Sequence, residues 1–151
     1  MKRLSQATAD ELVAAAWPLD GPYSPERTIE AARAIAELVR YLIYATRSMC
    51  VALPYPSDVY GLLGNLSSAQ HGLAQTCEQI AAGIEVQAVS LTLSVDELGS
   101  PEGAGSARGA VRSAIESAWK AAAGCRESAA HLSLAHSHVG RLRVDALEDA
   151  P

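Results

Sequence analysis

The sequence predicts an all-α helical bundle made of a short N-terminal helix, a central helix and a long antiparallel helical hairpin. Two observations carry this prediction. Apolar residues recur at alternating spacings of three and four over long stretches of the chain, which is the pattern of helices that bury one face. Alanine, the best helix former, dominates a hydrophobic fraction of 49%, and phenylalanine is absent. Because 151 residues suit one core, we expect a single domain over residues 1–151, with frayed termini at 1–7 and 148–151.

The first helix is predicted over residues 9–16. Thr8 is a good N-cap residue, and Asp10 and Glu11 follow it in the first turn, where acidic side chains favour the helix dipole. Trp17-Pro18 ends the helix, because the residue before a proline is biased away from helical geometry.

The central helix is predicted over about residues 25–53, with Ser24 as its N-cap and Pro25 at its first position. It is apolar on nearly every side, which indicates a helix at the centre of a bundle or in a subunit interface. Two apolar rows and one narrow charged stripe run along it: Ile29, Ala32, Ala36, Val39, Ile43, Thr46, Cys50 and Leu53; Ala31, Ile35, Leu38, Leu42, Ala45 and Met49; and Glu30, Arg33, Glu37, Arg40 and Arg47. The prolines at 54 and 56 end it.

Two long helices are predicted at about 57–98, with Ser57 as N-cap, and at about 106–147. A flexible glycine-rich loop at 99–105 joins them, so we expect an antiparallel hairpin with the central helix packed along part of it. Small residues in the middle of the second helix, around residues 121–125, favour a close approach of the two helices. Residues 89–95 also alternate in the manner of a strand, although the helical pattern is favoured because it continues to Leu98.

The central helix and the two hairpin helices differ in length, so they cannot cover all of one another's apolar faces, and part of this apolar surface stays exposed. We therefore expect a non-catalytic, self-associating scaffold or adaptor, whose partner is a second copy, most simply in a dimer, or another helical protein. We also expect the tyrosines beside the proline-rich turn to contact the partner, because tyrosine is common in binding hot spots. The expected interaction residues are Ile35, Leu38, Leu42, Met49, Tyr55 and Tyr60.

Two alternatives remain open at this point. One is a metal-binding or enzymatic bundle that uses His71, Glu127, His131 and His138, although the chain lacks the Glu-x-x-His and His-Glu-x-x-His motifs. The other is a small-ligand sensor with a pocket between helices at Gly72, Gly83 and Gly124. No catalytic motif is recognised, no catalytic residue or cofactor is predicted, and the three cysteines occupy apolar rows, where buried and inert thiols are expected.

Charge and hydropathy exclude further classes. A net charge of −5 and an isoelectric point near 5.3 argue against nucleic-acid binding, which needs a basic surface. No run of eighteen apolar residues predicts a membrane span, and the N-terminus lacks the apolar region of a signal peptide, so a cytoplasmic location is expected.

Overall fold

The protein is all-α over residues 7–90 and 107–143, the part of the chain that the computed structural model describes. Helices make up 86% of it, and it contains no strand, which confirms the predicted fold class. The elements are α1 (Ala9–Ala16), α2 (Pro25–Ala45), a 3₁₀ turn (Thr46–Ser48), α3 (Met49–Ala52), α4 (Pro56–Ser90) and α5 (Ala107–Val139). Most of the 89–95 stretch, the 99–105 loop and nearly all of the two termini lie outside the described residues.

The chain divides into two compact units, Met1–Ala52 and Leu53–Pro151. Within the described residues, the first unit contains α1 to α3, and the second contains α4 and α5. The single domain and the packing of the central helix along the hairpin stay predictions.

Local capping explains where α1 and α2 begin. The Thr8 side chain accepts a hydrogen bond from the backbone N–H of Glu11 (3.2 Å), and the Glu11 carboxylate accepts one from the N–H of Thr8 (3.0 Å), which completes a capping box. Ser24 Oγ caps α2 by accepting from the Arg27 N–H (3.3 Å). The Trp17 indole donates to the Arg27 carbonyl (3.2 Å), which ties the end of α1 to the start of α2. Both predicted starts are confirmed.

Helical residues continue to Ala52, one residue before the predicted end of the central helix, but the helix is interrupted because α2 stops at Ala45. The Thr46 hydroxyl donates to the carbonyl of Leu42 (2.8 Å), and a 3₁₀ turn follows before the four-residue α3. Threonine hydroxyls that bond back to the preceding turn compete with regular helical geometry, and short 3₁₀ pieces are common where a helix tightens. The apolar pattern continued across this point and gave no sign of the change.

The second unit is an antiparallel hairpin in which α4 and α5 meet along rows of small residues. Its buried apolar side chains are alanines spaced seven apart on each helix: Ala74 and Ala81 on α4, Ala122 and Ala129 on α5. A small side chain at every second turn lets helix axes approach toward the low end of the usual 8–10 Å. The expected close approach of the two helices is therefore present. The residues buried between them are alanines, whereas the glycines of the same helices are not buried.

Polar contacts fix the register of the hairpin. Ser67 Oγ donates to the Ala129 carbonyl (3.1 Å) and lies 2.8 Å from Ser133 Oγ. Near the start of α4, the Tyr60 ring stacks on the imidazole of His136 with 3.7 Å between ring centres. An ion pair between Glu78 and Arg126 lies farther along the hairpin.

The ends of the hairpin helices differ from the prediction. The first residue of α4 is Pro56, and the Asp58 carboxylate accepts from the N–H of Tyr55 (3.0 Å), so Ser57 is not the N-cap. α5 ends at Val139 and not near residue 147. Its last turn closes with the Gly140 N–H donating to the His136 carbonyl (3.0 Å), and turn bonds from Arg141 and Leu142 follow.

Candidate interaction surface

The helices of the first unit expose their apolar side chains. No residue of α1, α2 or α3 is buried. Among the predicted interaction residues, Leu38 is 59% exposed, Ile35 and Met49 are also exposed, and Leu42 is half-buried. Single exposed apolar residues are ordinary, but contiguous apolar patches on a folded protein mark interaction sites. Ile35, Leu38 and Leu42 therefore belong to an apolar surface of α2, whereas Met49 lies on α3, beyond the 3₁₀ turn.

A groove between α1 and α2 contains part of this surface. Its volume is about 590 Å³, and it is almost entirely apolar. We call it the groove surface, and its lining residues are Ala9, Leu12, Val13, Ala16, Trp17, Ala34, Glu37, Leu38 and Tyr41. The sequence reasoning missed the contribution of α1. The signal was present, because Ala9, Leu12, Val13 and Ala16 follow the spacing of one apolar helix face.

A second apolar surface lies on another side of α2. We call it the outer face; it consists of Ile29, Ala32, Ala36, Val39 and Ile43, which recur at spacings of three and four. Ile29, Val39 and Ile43 are each about half exposed. None of the five residues lines the groove with α1, so the outer face and the groove surface are two distinct parts of the apolar surface of α2.

The charged stripe of α2 divides between these two surfaces according to sign. Residues three or four apart are neighbours on a helix. Glu37 lines the groove and neighbours Ala34 and Tyr41, which also line it. Arg33, by contrast, neighbours Ile29 and Ala36 of the outer face.

Two further charged residues of the stripe, Glu30 and Arg40, show the same division at a spacing of seven residues. Glu30 lies one heptad before Glu37, on the groove side, and Arg40 lies one heptad after Arg33, beside the outer face. Arg40 and Glu37 form an ion pair of 3.3 Å whose side chains are 68% and 67% exposed. The groove surface therefore has an acidic border and the outer face a basic one.

The two predicted tyrosines belong to the second unit. Tyr55 is exposed and precedes α4. Tyr60 is 43% exposed, and its ring contacts both His136 and the backbone turn at Gly140. A groove of mixed polar and apolar character is lined by Tyr60 together with Asn65, Ser68 and Ser133, among others. The structure thus gives Tyr60 a packing contact inside the hairpin, which the sequence did not reveal.

The metal alternative receives no geometric support. His71, Glu127, His131 and His138 are all exposed. Within residues 7–90 and 107–143, no three His, Cys, Asp or Glu side chains are grouped so that they could hold an ion.

The three glycines at which a ligand pocket was expected face open space. A β-carbon placed at Gly72, Gly83 or Gly124 would meet no atom within 4 Å.

The cysteines differ from the prediction of buried thiols. Cys50 is exposed, because α3 has no buried residue at all, whereas Cys77 and Cys125 are half-buried in the hairpin. All three are free thiols.

Every helix in the described part of the chain is too short or too polar to cross a lipid bilayer.

Comparisons with protein-family models, curated proteins and solved structures found no match.

Proposed function

We propose that this protein is a non-catalytic scaffold or adaptor that associates with a second copy of itself through the apolar surfaces of α2. One observation carries the proposal: α1 to α3 contain no buried residue, yet α2 is apolar on most of its circumference. A helix of this kind is stable when a partner covers its apolar sides. A second copy is the simplest partner, and a dimer is the smallest assembly.

The free energy available from such burial is substantial. Fully burying a leucine or isoleucine side chain contributes about 1.5–3 kcal/mol, so covering a side chain that is half exposed contributes about half of that. Leu38, Ile35, Val39 and Ile43 are all exposed by about half. Together they would supply several kcal/mol toward the cost of association.

The test is the mass of the full chain in solution, measured by sedimentation equilibrium or light scattering over a range of micromolar concentrations. We expect the average mass to rise with concentration. Leu38→Glu places a charge on the apolar surface and should weaken association at least tenfold. Val89→Glu is the matched control, because Val89 is 90% exposed and lies on α4 of the other unit.

Circular dichroism should show unchanged helix content in both variants, since both side chains are exposed. A wild-type chain that stays monomeric throughout the concentration range would overturn the proposal. So would an equal loss of association in Leu38→Glu and Val89→Glu.

A further inference from the structure

We infer that the copies associate head to tail, with the outer face of one copy docked in the groove surface of the next. This inference rests on the proposed self-association and specifies its arrangement. The α2 helix of a second copy occupies the groove.

The two surfaces differ in shape. The groove surface is a concave space of about 590 Å³ between α1 and α2, open to solvent and almost entirely apolar. The outer face lies on a single helix, where Ile29, Val39 and Ile43 project from a strip that otherwise contains alanines. An amphipathic helix laid into an apolar groove is a common mode of recognition between proteins, with anchor side chains at helical spacing. The outer face supplies such anchors.

The border charges favour the pairing of unlike surfaces. If the outer face of one copy lies in the groove of the next with the two α2 helices parallel, Arg33 and Arg40 approach Glu30 and Glu37 of the second copy. Two outer faces packed together by antiparallel α2 helices would instead bring arginine rows toward each other, and two grooves packed in the same way would bring glutamates together. Complementary charges guide register and partner choice, whereas like charges disfavour the alternative pairings.

The ion pair that already exists within α2 does not prevent its two side chains from pairing with a second copy. Arg40 and Glu37 are both about two-thirds exposed, and an exposed pair of this kind contributes about 0–1 kcal/mol. Either side chain can therefore take a partner on another copy at little cost. Because the new pairs form at the edge of an apolar contact, association should weaken as salt concentration rises.

A head-to-tail contact has a direct consequence for assembly size. Each copy keeps one free groove and one free outer face at the ends of the assembly, so growth continues unless the geometry closes a ring. A symmetric contact that uses the same surface twice would instead stop at two copies.

The decisive experiment uses two neighbouring substitutions, Leu38→Glu in the groove surface and Val39→Glu in the outer face. Each variant alone should be monomeric in sedimentation velocity, because each lacks one of the two complementary surfaces. Mixed in equal amounts, they should form a complex of two chains, since the intact groove of one fits the intact outer face of the other. That complex should dissociate when salt is raised.

The outcomes separate this inference from the proposed function. If the wild-type chain is monomeric, self-association itself is wrong. If the wild-type chain associates but Val39→Glu still dimerises, or if the mixture of variants stays monomeric, the head-to-tail arrangement is wrong and the contact is symmetric or lies elsewhere. Circular dichroism of each variant is the control for folding. A helix content equal to that of the wild type shows that the mixture contains folded chains.

Discussion

Replacing Ala129 by leucine should strongly destabilise the hairpin, while the same substitution at the next residue should not. Ala129 has no exposed surface, its carbonyl accepts the hydrogen bond from Ser67, and it lies in the row of alanines where the two helices are closest. A leucine there forces the helices apart or into strained rotamers, which typically costs about 1–3 kcal/mol. Since 1 kcal/mol lowers the melting temperature of a chain of 151 residues by about 2–4 °C, we expect a decrease of about 2–12 °C.

Ala130→Leu is the matched control. Ala130 is exposed on the same turn of α5, and leucine and alanine have similar helix propensities, so its stability should stay within about 0.5 kcal/mol of the wild type. Urea unfolding followed by circular dichroism gives the midpoint and slope for each protein. The reasoning about a close-packed alanine row is refuted if Ala129→Leu unfolds at the wild-type midpoint, or if both substitutions lower the midpoint equally.

Further predictions concern polar contacts, glycines and pH. Ser67→Ala removes the hydroxyl between the two hairpin helices and should cost about 0.5–1.5 kcal/mol in urea unfolding; no change would show that this contact is dispensable. Gly124→Ala should stabilise α5 by up to about 1 kcal/mol, because its β-carbon meets no atom within 4 Å. Gly140→Ala should destabilise instead, because its β-carbon would lie 2.9 Å from the Tyr60 ring; equal effects of the two glycine substitutions would contradict this. The hydrogen bond and charge of Lys120 lower the pKa of the Glu116 carboxyl, so their contribution to stability is present at neutral pH and is lost as pH falls through the lowered pKa. An NMR titration should show that Lys120→Ala raises the pKa of Glu116 toward its ordinary value.

The starts of the helices could be predicted more accurately than their ends. The starts of α1 and α2 are determined by Thr8, Ser24 and Pro25. The capping hydrogen bonds of Thr8 and Ser24 reach only three residues along the chain, so the local sequence is enough to predict both starts. α2 ends at Ala45 inside a stretch whose apolar pattern continues, so the spacing of apolar residues gives no signal of this end. α5 likewise ends at Val139, although the apolar spacing continued beyond it.

The candidate surface could be predicted only in part. The apolar rows of α2 follow directly from residue spacing, and the structure leaves predicted residues such as Leu38 exposed. The groove needed the tertiary contact of α1 with α2, which spacing within one helix cannot show. The contacts of Ser67 with Ser133 and of Tyr60 with His136 join residues more than sixty positions apart, so they depend on the register of the hairpin.

The 3₁₀ turn at Thr46–Ser48 limits how far a partner can follow α2. Each 3₁₀ residue advances the helix by about 120°, compared with about 100° for an α-helical residue, so three residues add a rotation of about 60°. Side chains beyond the turn, including Met49, are therefore rotated by about this angle from the directions that they would have on a continuous α-helix. A straight helix bound along α2 loses its match with the chain after Ala45, which sets the length of a matching partner segment at about six helical turns.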